Sequence, residues 1–78
     1  MKITFDGGKM HRRSMDACAE TTKVVVSYPD DTYVDEKWEV IETYCVSRFS
    51  KRKNVAKLRG LGVQRNRDMS ANLKVVFL

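Results

Sequence analysis

Residues 35 to 49 read DEKWEVIETYCVSRF, and whether this stretch coils or extends decides the fold. Trp38, Ile41, Cys45 and Phe49 recur at spacings of three, four and four, the period of one helix face, while Glu36, Glu39, Glu42 and Arg48 fall away from that stripe. Asp35 suits an N-cap or first turn. The spacing predicts a helix over residues 35–49. The stripe fades across Ser50 to Asn54 and returns with Val55 and Leu58 before Gly60 supplies a stop. A basic joint and a short second helix to about residue 59 follow, or one bent helix. On this reading Trp38 and Phe49 are core residues, and Tyr33 and Tyr44, off the stripe, are candidate stacking platforms for bases.

Working outward, Lys2 to Phe5 alternates polar and apolar residues and is stopped by Asp6-Gly7-Gly8, a strand followed by a turn. Residues 9–20 form either the second arm of a hairpin or a helix, and the helix is preferred because Met10, Ser14, Ala17 and Cys18 share one helical face. Val24, Val25 and Val26 make Lys23 to Tyr28 a strand, since β-branched residues lose rotamer freedom in a helix. The following YPDDT ends it, because Pro29 lacks the N–H that a ladder needs. Residues 60–71, with two glycines among polar positions, read as a loop, and LKVVFL at 73–78 as a buried central strand. The predicted fold is α+β in the order β-α-β-α-α-β: a single-layer sheet of about three strands with two or three helices on one face.

Seventy-eight residues make one small domain, with a stability margin thin enough that a homodimer is an option. Two cysteines, Cys18 and Cys45, are too few for a secreted disulfide framework. The start MKITFDGGKM lacks the apolar stretch of a signal peptide, and no segment approaches a membrane span of roughly 18 apolar residues. A cytoplasmic location is expected, with no membrane partner.

The net charge of +5 is unevenly distributed along the chain. Residues 30–47 carry Lys37 against Asp30, Asp31, Asp35, Glu36, Glu39 and Glu42, whereas residues 48–78 carry nine Lys/Arg against Asp68. Helix-dipole preferences explain one turn at each end, not a basic run continuing through Arg67. Dense Lys and Arg attract polyanions, because each phosphate contact releases condensed counterions. The expected nucleic-acid-binding set is Arg48, Lys51, Arg52, Lys53, Lys57, Arg59, Arg65 and Arg67, with the amides of Gln64 and Asn66 and with Arg12 and Arg13 extending the patch. If residues 9–20 are helical, Lys9, Arg12 and Arg13 share a side. A solvated charged face without a specific partner is the plain reading of the same run.

Catalysis and metal binding find less support. One histidine, His11, leaves no His pair, and His11, Cys18 and Cys45 do not follow a zinc spacing. Asp30, Asp31 and Asp35 could hold Mg²⁺ only with a substrate phosphate, and a turn leading into a helix explains them better. The fragment KLRG, Lys57 to Gly60, ahead of a C-terminal strand is similar to RelE-like ribosome-dependent ribonucleases. The tyrosine or arginine signature of those toxins on later strands is absent, and no family is assigned. The expectation is a non-enzymatic, cofactor-free nucleic-acid-binding protein, RNA slightly favoured because no helix-turn-helix is visible. The alternative is a small accessory or inhibitor protein, of the kind phages and mobile elements encode, whose basic face docks on an acidic protein surface. A ribonuclease working through arginines and lysines is a third and weaker option.

Overall fold

The computed structural model describes residues 1–30, 37–50, 53–66 and 72–78, with the side chains of 48–50 and 53 left aside. Among the described residues there is no helix, and so none long and apolar enough to cross a membrane. Six strands form one curled sheet, a half-barrel: β1 (Lys2–Asp6), β2 (Ser14–Asp16), β3 (Lys23–Pro29), β4 (Trp38–Ser50), β5 (Lys53–Arg65) and β6 (Lys74–Phe77). Their spatial order is β2-β1-β5-β4-β3-β6, with β1 and β5 parallel and every other pair antiparallel.

The expected α+β fold is therefore corrected to an all-β sheet. Residues 35–49 do not coil over their described part: Trp38 onward is strand. Its β-branched and aromatic content, Trp38, Val40, Ile41, Thr43, Tyr44 and Val46, favours extension. The short helix ending near residue 59 is replaced by β5, which also takes residues 60–65 out of the expected loop. Residues 9–20 are not helical either; they hold a turn and the short β2, so the hairpin-arm alternative is nearer. The strands expected at Lys2, Lys23 and the C-terminus are present, but β6 lies at the sheet edge rather than its centre.

Directly opposed residues share a face, so the ladders sort the side chains. Trp38, Val40, Glu42, Tyr44 and Val46 of β4 line up with Tyr28, Val26 and Val24 of β3 and with Arg65, Val63, Leu61, Leu58 and Ala56 of β5. This is the concave face. Ile41, Thr43 and Cys45 point to the other one, so Trp38 and Ile41, paired on the helical stripe, stand on opposite faces. Thr43 opposes Gly60 while Tyr44 opposes Leu58, leaving Arg59 as the extra residue of a bulge.

The core occupies one half of the concave face: Ile3, Phe5, Val24, Val26, Tyr44 and Ala56, with Met10 delivered from the connection between β1 and β2. Phe5 meets Tyr44 edge to face with centroids 4.9 Å apart. Tyr44, expected as an exposed platform, is fully buried. The connection folds over this core through left-handed backbone at Gly7 (φ 93°), Gly8 (φ 68°) and Arg12 (φ 68°). The Arg12 N–H donates to Phe5 O and the Phe5 N–H to Arg13 O. Beyond Glu42 no described residue covers the concave face. Leu61 is 68% exposed and Val63 52%, while Trp38, expected in the core, is only half-buried.

Candidate nucleic-acid interface

From Lys53 to Arg65 the expected basic run is spread along β5 rather than gathered on a helix-loop face. β5 is 13 residues long, so at about 3.3 Å per residue Lys53 and Arg65 stand roughly 40 Å apart. The molecule is itself elongated, 47 × 19 × 16 Å. At one end, the backbone of Arg48 pairs with Asn54 and that of Ser50 with Lys53. Lys51, Arg52 and Arg67 lie outside the described residues, as do Tyr33, Asp31 and Asp35. Alternation divides the remainder. Lys57 is half-buried on the convex face, opposite Cys45 and beside Asp6 of β1, and Arg59 is exposed at the bulge. Arg65 stands on the concave face, its Cζ 5.5 Å from the centroid of Trp38, its direct partner across the ladder.

The two amides in the set turn toward the protein. Gln64 Nε2 donates to Glu39 Oε1 at 2.7 Å and Asn66 Nδ2 to Glu39 Oε2 at 3.2 Å, which satisfies a carboxylate that is only 7% exposed. Arg12 and Arg13 are both exposed, and Arg12 lines a groove of about 380 Å³ with Thr4, Phe5, Asp6 and Val55. His11 Nδ1 accepts the Gly7 N–H at 2.8 Å and lies 3.8 Å from Asp6 Oδ1, so the imidazole closes its own turn. Among the described residues no three His, Cys, Asp or Glu side chains come together in a way that could hold a metal ion.

The sequence reading missed Glu42. Read as solvent-facing on a helix, it is fully buried on the concave face at the boundary between the core and the open half. Both of its oxygens accept the Lys9 N–H, at 3.0 and 3.1 Å; Tyr28 donates a short bond to Oε1, and the Tyr44 hydroxyl lies 2.8 Å from Oε2. Tyr44 is also 2.9 Å from Gly7 O, and a phenol has one proton, so it donates to one of the two at a time. Removal from water, then the bond to Glu42, pushes Tyr28 up to about 12. The same causes in the same order raise Tyr44 further, against the Met10 amide, which lowers it. Gly8 is required beside this cluster because a Cβ there would sit 1.7 Å from Glu42 Oε2. Lys9, held by its backbone, places Nζ 5.1 Å from the centroid of Tyr28.

The cluster fastens the turn over the core and stations a lysine at the border of the open half-face. Its carboxylate is consumed by internal donors. Comparison with known proteins finds no matching family model, no matching curated protein and no matching solved structure.

Proposed function

We propose that this chain is a small non-enzymatic protein that binds nucleic acid, RNA in preference to duplex DNA, through exposed cations. The observation that supports this reading is the division of charge between interior and surface. Glu39 and Glu42 are buried and occupied by hydrogen-bond donors. Lys2, Lys9, Arg12, Arg13, Lys23, Lys37, Arg59, Arg65 and Lys74 are exposed, and no lysine or arginine with a described side chain is buried. Over the described residues a polyanion therefore meets a surface whose cations are exposed while two of the carboxylates are buried. Bound cations of a single strand are released on contact, lowering log K by about 0.7 per phosphate for each tenfold rise in salt. Sheet faces carrying aromatics suit unpaired bases.

The test is the fluorescence anisotropy of labelled single-stranded RNA and of duplex DNA, titrated with the protein from low to physiological salt. Tighter binding of the single strand, weakening steeply with salt, is expected. Binding that ignores salt, or none at low salt, contradicts the reading. An acidic protein that stays bound after nuclease treatment, with negligible RNA affinity at physiological salt, would replace nucleic acid as the partner.

A further inference from the structure

We infer that the open half of the concave face is a stacking site for the unpaired bases of a single strand, with Trp38 and Tyr28 as its aromatic platforms. This rests on the nucleic-acid reading above and assigns it a place. Tyr28 opposes Val40, two residues along β4 from Trp38, so the two aromatics are diagonal neighbours on one face, about 7–8 Å apart at the backbone. Each ring has a cation over it, Lys9 over Tyr28 and Arg65 over Trp38. A base can stack on an aromatic ring or on a guanidinium plane, and the same cations are within reach of the phosphates that flank the base.

The floor between the platforms is apolar: Val40 half-buried, Leu61 and Val63 largely exposed. Sugars and base edges laid on it would remove that surface from water. Charge complementarity selects an anionic strand over an apolar partner. Among the described residues the carboxylate on this face, Glu42, lies beneath the tyrosines with its oxygens bonded inward. Asp30, at the end of β3, acts electrostatically on Tyr28 and borders the site as an opposing charge. Duplexes keep their bases stacked on one another, so this face discriminates for single strands.

Trp38 is the sole tryptophan of the chain and reports directly on the site. Its emission should be quenched by a short oligouridylate in step with binding measured by anisotropy, and should be little changed by heparin, which has charge without bases. Leu61→Asn and Val63→Asn change exposed side chains without adding charge and should leave the circular dichroism intact. Each is expected to weaken oligouridylate binding at least about tenfold, the scale of one lost stacking contact, and to weaken heparin binding much less. Asp30→Asn should tighten oligouridylate binding. Oligouridylate that binds without quenching Trp38, or variants that lose heparin and oligouridylate equally, would overturn the stacking site and leave the nucleic-acid reading standing. Absence of oligonucleotide binding at low salt would remove both.

Discussion

Glu42 is the residue on which the interior depends most. A buried carboxylate is tolerable only when donors replace its water, and here the Lys9 amide and two phenols do so. Glu42→Ala strands those donors around a void and should lower unfolding stability by about 2–4 kcal/mol in urea denaturation. Glu42→Gln keeps the shape, replaces an acceptor with an amide donor, and should lose less. If both variants unfold with the wild type, the cluster is not holding the turn. The phenols give a second expectation. Tyr28 is shifted from 10.0 to about 12 in the folded chain, and Tyr44 is raised as well. Below pH 10 both states hold these protons and stability is unaffected. Between about pH 10 and 12 the unfolded chain releases them first, so it binds fewer protons than the folded one and stability falls as pH rises. Absorbance titration of phenolate should show Tyr28 ionising near 12; ionisation of Tyr28 near 10 in folded protein would contradict its bond to Glu42. Glu42 also accounts for the misread stretch: at an inward position of WEVIETYCV it breaks the polar-apolar alternation, and outward Ile41 completes a false helical period.

At the scale of elements, the register of β4 against β5 carries most of the architecture. Cys45 stands directly opposite Lys57 on the convex face, and opposed residues have Cβ atoms about 4.5–5.5 Å apart, within a small adjustment of a disulfide. In a Cys18→Ser background, Lys57→Cys should therefore form an intramolecular disulfide under mild oxidation, seen by mass spectrometry. Leu58→Cys, facing inward beside Tyr44, should not. Bridging by the second and not the first would shift the register and exchange the faces. The strands that announced themselves, Lys2–Asp6, Lys23–Pro29 and Lys74–Phe77, do so through alternation or runs of valine bounded by turn residues. β5 gave no such signal. Its lysines and arginines interrupt the apolar positions, and the bulge at Arg59 moves Leu61 and Val63 onto the face that Ala56 and Leu58 share, so period two fails across it. The glycines at 7 and 8 were legible as a turn, but nothing local told that the turn folds back over the sheet to bring Met10 into the core.

Over the whole molecule, the half-barrel arranges charge in a way the linear pattern could not convey. Trp38–Ser50 of the acidic segment and Lys53–Arg65 of the basic one are adjacent strands, and Glu39 and Glu42 are buried while no lysine or arginine with a described side chain is. Legible in the sequence was the excess of positive charge; the structure adds that Arg59 and Arg65 are exposed. Trp38 and Tyr28 as neighbours on one face were not legible, because their proximity is created by the pairing of β3 with β4, which brings together residues ten apart in sequence. The described stretch Lys53–Arg65 of the basic run is one strand whose ends are far apart, so on the proposed reading a long single strand follows it while a compact ligand meets only part of it. The central claim is that nucleic acid binds the open half of the concave face, and amide chemical-shift mapping of isotope-labelled protein with a short oligouridylate tests it directly. Shifts should concentrate at Lys9, Tyr28, Trp38, Val40, Leu61, Val63 and Arg65, with Thr4, Val25 and Val76 on the convex face little affected; shifts centred on that convex face, or none at low salt, would contradict the account.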